Sequence, residues 1–357
     1  MKAQTRPFFP VLFWWLAFSS VQAQFLGGRN SFAFLRQPAN APLAALGGVN
    51  ISQSDFDVNR WLSNPALLHA DMDKHASLSY VPFYAQTRHL SAVYADEYKP
   101  GRFGGGLQYV DYGTFDETDA AGNALGTFRV SEYAATVAHA STQGAYTMGV
   151  AVKLIGSNIA NYSSYAAALD VGGLWKHPEH DWTIGLVVRN AGLVLKKYES
   201  ASGQGGLPLD VQLGTTFKPK FMPLRFSVTA HHLHQPDIAY DDPLLSAGVD
   251  ANGNPVARRV SVADKVARHF TVGTELVLAK AFHIRLGYNH LTRQEMRLQN
   301  GAFGAGFSFG FLLKTKRLQV SYARFYQQAA GGVNYLTLTG NLGTLIRRKA
   351  ESATPAE

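Results

Sequence analysis

Tyr146-Thr147-Met148-Gly149-Val150-Ala151-Val152-Lys153-Leu154 is the stretch whose reading decides the fold. In an extended chain, successive side chains point to opposite faces. Tyr146, Met148, Val150, Val152 and Leu154 then share one face, while Thr147, Gly149, Ala151 and Lys153 share the other. A bulky apolar face alternating with a small or charged one suits a strand with lipid on one side and a lumen on the other. The pattern returns at 303–311, where Phe303, Phe307, Phe309 and Phe311 alternate with Gly304, Gly306, Ser308 and Gly310. Large residues there meet lipid and small ones leave room inside.

Outward from these two stretches, similar alternation runs through 75–84, 88–96, 102–113, 128–140, 164–175, 181–191, 208–218, 223–233, 268–278, 282–291, 317–326 and 333–342, giving about fourteen strands. The predicted fold is all-β: a transmembrane antiparallel β-barrel with both termini on one side. Its inward faces would carry Asp170, Arg189, Asp210, Lys218, Glu275 and Arg285, charges that lipid would not tolerate. Tyr80, Tyr94, Tyr109, Tyr146, Trp175, Trp182 and Tyr322 lie toward strand ends, where aromatic girdles belong. Connections alternate in length. Those at 96–102, 141–145, 176–180, 219–222, 279–281 and 312–316 are short, and those at 114–127, 155–163, 192–207, 234–267 and 292–302 are longer. Outer-membrane barrels have short periplasmic turns and longer extracellular loops, whereas a soluble sandwich has no reason to sort loop lengths by side. Inside 234–267, Val262, Val266 and His269 are spaced for one or two helical turns.

At the N-terminus, Lys2 and Arg6 precede an apolar run from Phe8 to Phe18 and then Val21-Gln22-Ala23. This fits a secretory signal of residues 1–23 with a small-x-small cleavage site. The competing reading, an uncleaved anchor, falls short of the roughly 20 apolar residues a span needs. Absence of cysteine excludes a lipid-anchored Cys, a disulfide framework and thiolate metal sites. Loss of Lys2 and Arg6 takes the formal charge from +8 to +6, which suits phosphates at an outer-membrane surface or simply a solvated basic lumen. No long basic helix and no nucleic-acid module is present.

Residues 24–72 read differently from the rest. They run Gly27-Gly28-Arg29-Asn30-Ser31-Phe32-Ala33-Phe34-Leu35, then Ala45-Leu46-Gly47-Gly48, then Asn64-Pro65-Ala66-Leu67-Leu68. Paired glycines allow sharp turns and close backbone approach, and Asn-Pro favours an extended bend. The segment is expected to form a plug at the periplasmic end of a barrel spanning 73–346, packed through Phe32, Phe34, Leu35, Leu67 and Leu68, with 347–357 a polar tail.

This ordered set resembles the N-terminal segment of the PorQ family, in the PorV/PorQ group of FadL-like outer-membrane barrels, which belongs to the type IX secretion system of the Bacteroidetes. Ala263-Asp264-Lys265 before Arg268-His269-Phe270, Leu286-Gly287-Tyr288-Asn289-His290 with Arg293-Gln294-Glu295-Met296, and Gly306-Phe307-Ser308-Phe309-Gly310 extend the resemblance over nearly the whole mature chain. The resemblance implies an outer-membrane, non-enzymatic scaffold of the cell-surface attachment complex. Its implied partners are a PorZ-like surface protein, PorU-like and PorV-like members, and outer-membrane lipid with lipopolysaccharide, but no nucleic acid. The alternative is a FadL-like transporter of hydrophobic small molecules, which needs an apolar pocket continuous with an opening.

Candidate chemistry is sparse. Gly306-Phe307-Ser308-Phe309-Gly310 matches the Gly-x-Ser-x-Gly hydrolase pattern but lies among alternating phenylalanines instead of a strand-to-helix turn, so Ser308 is read as a small lumen-facing residue. On a strand, only His232 and His234 of His231, His232 and His234 would share a face, too few for structural zinc. Neither a phosphate-cradling loop nor a His-Glu-x-x-His motif occurs, and no cofactor or catalytic residue is expected. The longest loops, 192–207 and 234–267, are the expected docking sites, with Lys196, Lys197, Asp237, Asp241 and Asp242 supplying charge.

Overall fold

Mostly small or polar residues on one face of the barrel strands and mostly large apolar ones on the other leave the sheet two different solvents to face, and it closes on itself. The computed structural model describes residues 30–98, 101–198, 205–239, 246–249, 255–257, 260–296, 304–328 and 331–344. Its strands are β1 (His75–Pro82), β2 (Arg88–Tyr98), β3 (Gly101–Thr118), β4 (Ala124–Gln143), β5 (Tyr146–Ile159), β6 (Tyr162–Lys176), β7 (Asp181–Lys196), β8 (Asp210–Lys218) and β9 (Leu224–Ala230). After these come β10 (Ser246–Val249), β11 (Pro255–Ala257), β12 (Phe270–Ala279), β13 (Phe282–Asn289), β14 (Phe307–Lys314), β15 (Leu318–Gln328) and β16 (Gly331–Asn341). All but β10 and β11 form a closed antiparallel barrel of fourteen strands in which β16 pairs with β1 and β9 with β12. β10 and β11 make a separate small hairpin within the 234–267 connection.

The alternation is realised as read. Tyr146, Met148, Val150, Val152 and Leu154 are exposed on the outside, and Gly149, Ala151 and Lys153 are buried inside. Phe307, Phe309 and Phe311 face out while Ser308 and Gly310 face in. Asp170, Asp210, Glu275 and Arg285 are buried on the inner face. Val262–Ala267 forms the expected helix, α2, with the Ser261 side chain accepting the Asp264 N–H as N-cap.

Several boundaries differ, each for a local reason. The 114–127 and 155–163 stretches are not loops: β3 and β4, of 18 and 20 residues, continue as a hairpin well past the 9–11 residues that a tilted span uses, and β5 runs on to Ile159 with β6 starting at Tyr162. From Thr114 to Thr118 both faces of β3 are exposed, so this ribbon stands clear of the barrel. Likewise β7 runs on to Lys196 through a bulge at Asn190, which takes a φ of 56°. The strand expected from 303 starts only at Phe307: Phe303 lies outside the described residues, and Gly304 and Gly306 have φ of 97° and 83°, which break an extended run. β13 ends at Asn289, which caps α3 (His290–Glu295) by accepting the Thr292 N–H. β9 stops at Ala230, and His232 has a φ of 57°, so His232 and His234 do not share a strand face.

Candidate functional site

Segment 30–72 fills the lumen in two layers, not as a plug confined to one end. Residues 31–48 form the layer nearer the long hairpins, and residues 51–72 the layer nearer the short turns. In the first layer Ser31 N–H donates to the Gly206 carbonyl at 3.1 Å, beyond the end of β7. Phe32, Phe34 and Leu35 pack on Val110, Ala134, Ile155 and Ala166 of β3 to β6. The expectation that these three aromatic and aliphatic residues lie at the periplasmic end is therefore corrected. A short helix, α1 (Ala41–Ala44), is capped by Asn40, whose Oδ1 accepts the Leu43 N–H at 3.0 Å. Gly47 and Gly48 have φ of 85° and 82°, and the tight turn they make hands the Gly47 N–H to Ser308 Oγ at 2.9 Å. Ser308 in turn donates to the Ala45 carbonyl at 3.0 Å. The hydroxyl of the hydrolase-like pattern is thus a structural tie.

The second layer touches the wall from β1 round to β14. Asn64 Oδ1 accepts the Ala66 N–H at 3.0 Å and its Nδ2 donates to the Ile51 carbonyl at 3.0 Å, so one side chain closes the bend that Pro65 enters. The wall has no side chain where this bend lies against it: a methyl group on Gly149 would overlap the Pro65 backbone, and one on Gly172 would overlap Asn64 Oδ1. Trp61 lies against Gly104 and Gly106 in the same way. With Val58, Leu68 and Met72 it forms an apolar cluster against Val93, Ala95, Ala138 and Ala151.

A charge network the sequence reading missed joins this layer to the wall. Arg60 donates to both oxygens of Asp55, Nε at 3.2 Å and Nη2 at 3.1 Å. Asp55 Oδ2 also lies 3.7 Å from Arg285 Nη2, and Arg285 Nε donates to Glu275 at 2.7 Å. Glu275 further accepts from Arg225 at 2.5 Å and from Gln53 at 3.0 Å. Asp55, Arg60, Glu275 and Arg285 are all nearly devoid of solvent contact. Inward Glu275 and Arg285 were legible in the sequence. Their call for further partners was the one available signal for Asp55 and Arg60. A second buried pair, Lys153 with Asp170 at 2.6 Å, pins the β7 bulge, since Asp170 accepts the Asn190 N–H at 2.7 Å and Lys153 donates to Asn190 Oδ1 at 2.9 Å.

The remaining sequence candidates scatter. Gly27, Gly28, Asp241 and Asp242 lie outside the described residues. Lys196 and Lys197 are exposed at the end of β7, and Lys196 Nζ donates to Ser163 Oγ at 2.7 Å while lying 5.7 Å over the Tyr165 ring. Asp237 pairs with Lys265 of α2 at 2.5 Å, and that hydrogen bond holds its carboxyl below the usual range. In the same region Asp264 accepts from His290 at 2.8 Å and from Arg268 at 2.9 Å; burial pushes its carboxyl up, but these bonds outweigh it and hold it down. Among the described residues no group of three or more His, Asp or Glu is arranged to hold a metal ion. His231 and His232 hydrogen-bond to each other at 2.6 Å.

No protein-family model and no curated protein sequence matches the chain. Solved structures do. The toluene transporter TodX of P. putida is 12% identical over 86% of this chain and 99% of its own, with a TM-score of 0.50. A deltaS2 mutant of the TodX monoaromatic hydrocarbon channel is 14% identical over 85% of this chain and 97% of its own, with a TM-score of 0.51. A FadL homologue of Pseudomonas aeruginosa is 10% identical over 85% and 98%, with a TM-score of 0.47. At such identities the likeness shows the fold alone: the chain shares the barrel fold of TodX.

Proposed function

We propose that this chain is a non-enzymatic scaffold of the outer membrane, of the PorQ kind, which holds a PorZ-like surface protein in the attachment complex of a type IX secretion system. The observation that carries the reading is the second lumenal layer. It meets the wall at backbone level at Gly149 and Gly172 and is tied to it by the buried Asp55, Arg60, Glu275 and Arg285 network, so it is built to stay. β2 and β3 also pair without interruption from Arg88↔Asp111 to Tyr98↔Gly101, which leaves no gap in the wall there. A scaffold works with a filled lumen, whereas a conduit must empty one. The raised hairpin of β3 and β4 and the described residues of the connections after β7 and β9 offer a partner surface beyond the membrane. The remaining attachment-complex partners, PorU-like and PorV-like proteins and lipopolysaccharide, follow from the sequence resemblance.

The second reading is a FadL-like transporter of hydrophobic small molecules, favoured by the fold shared with a toluene transporter. One strain separates the two. Deleting the gene should release the PorZ-like protein from the cell surface and leave uptake of monoaromatic hydrocarbons unchanged. Normal surface retention with lost uptake would reverse the assignment.

A further inference from the structure

The lipid-facing side chains of β16, β1, β2 and β3 stand in register as rows. One row reads Leu338, Leu78, Ala92, Leu107. The next row toward the long hairpins reads Leu336, Tyr80, Leu90, Tyr109. Every residue in both rows is large except Ala92, so the belt is hollowed at Ala92, with Leu78 and Leu107 beside it and the Tyr80, Leu90 and Tyr109 row above it. The result is an outward-opening apolar groove of about 410 Å³, within the roughly 300–1,000 Å³ of small-ligand sites.

One pleat beyond the Tyr80 row the register reads Pro82, Arg88, Asp111. Arg88 is exposed on the same outward face as Leu90. The Asp111 carboxylate is engaged by Arg129 at 3.2 Å, and among the described residues Arg88 has no ion-pair partner. Arg129 therefore takes the one carboxylate at this rim and leaves the Arg88 guanidinium available. Arg88 lies four positions from Ala92, about 13 Å along the strand at roughly 3.3 Å per residue. With the termini periplasmic, as in even-stranded outer-membrane barrels, this rim sits at the outer-leaflet headgroups.

We propose that the groove is a binding site for a phosphorylated, acylated lipid of the outer leaflet, of the lipid A type, with an acyl chain over Ala92 and a phosphate on Arg88. The chemistry divides cleanly. Apolar burial holds the chain, and the planar guanidinium fork of Arg88 selects the phosphate. Neither depends on what fills the lumen, so the site is independent of the scaffold reading.

The test uses the full-length protein in detergent, with lipid retention read by native mass spectrometry and folding read by heat-modifiable migration. Three probes are compared: diphosphorylated lipid A, the same lipid dephosphorylated, and phosphatidylglycerol. We expect one retained copy of diphosphorylated lipid A, bound at least about tenfold more tightly than either other probe. Ala92→Leu, which fills the hollow while keeping an apolar lipid face, should weaken that binding at least about tenfold. Arg88→Gln should retain the lipid but lose the preference for its phosphates, and as a change at the exposed rim it tests the site even if Ala92→Leu misfolds. Equal retention of all three probes, tighter binding of phosphatidylglycerol, or unchanged binding by folded Ala92→Leu would each overturn the proposal.

Discussion

Asp55→Ala should unlatch the second lumenal layer. The carboxylate accepts two bonds from Arg60, at 3.2 and 3.1 Å, one from Gln53 at 2.9 Å and one from the Asp57 N–H at 3.2 Å. Its side chain is 8% exposed and that of Arg60 2%. Removing one partner of a buried pair leaves the other charge uncompensated, at a cost of about 3–5 kcal/mol. The barrel keeps its ladder, so that cost falls on seating the segment. The chain has no cysteine, and Val58, fully buried beside the network, is replaced by cysteine as a lone reporter. Maleimide labelling of Val58→Cys in proteoliposomes then tracks the open population, and it should rise roughly 10²- to 10⁴-fold when Asp55→Ala is added. Removing both charges together, as Asp55→Leu with Arg60→Met, should bring the rate back toward the parent, because a buried pair exchanged for apolar residues is often neutral. A rate within threefold of the parent for Asp55→Ala, or a double variant as fast as the single one, would refute the idea that this pair latches the segment.

Gly172→Ala places a methyl group on Asn64 Oδ1 and should lower stability by about 1–3 kcal/mol, read from the urea midpoint in vesicles. Gly173→Ala, whose added carbon meets nothing within 4 Å, is the neutral control. Val152→Arg puts a charge on the lipid face and should cost about 2–4 kcal/mol of folding into vesicles if it lies near the midplane. Lys153→Met strands Asp170 in the lumen and should cost about 3–5 kcal/mol by the same midpoint, with backbone exchange quickening first at the Asn190 bulge.

The barrel was legible because lipid and lumen impose opposite demands on alternate residues, and 146–154 obeys both without exception. Where a strand leaves the membrane that demand ends, which is why the outer ends of β3, β4 and β7 read as loops: Thr114 to Thr118 has no buried face to pattern. The glycines at 304 and 306 mislead for the opposite reason. They continue the alternation of 303–311 on paper, yet their positive φ serves the turn into β14. Small lumenal residues such as Gly149 and Gly172 announced that something needed room, but not which segment would take it. The partners of Glu275 and Arg285 were harder still, since Asp55 and Arg60 lie more than 200 positions away in a segment with no period of its own.

Inside a closed barrel, segment 30–72 has no sheet edge to complete, so its backbone groups must be satisfied locally or by wall side chains. Asn40, Asp57 and Asn64 each accept an N–H from a residue two or three positions on, from Leu43, Asn59 and Ala66. Bonds at the Ala41 N–H, the Gly47 N–H and the Gly47 carbonyl reach the wall across 296, 261 and 242 positions of chain. Pro65 removes a donor that the bend would leave unmade, and Ala66 is small enough to lie against Gly149. Asn64-Pro65-Ala66 is therefore a solution to packing an irregular chain against a strand wall, and it would serve equally in a segment that stays and in one that moves. What separates those two cases is the energy needed to withdraw the segment. Withdrawal here would break the Asp55–Arg285 contact and the Gln53 hydrogen bond to Glu275 and would open two buried ion pairs to solvent, which is why the charge network bears on function and the Asn-Pro-Ala bend alone does not.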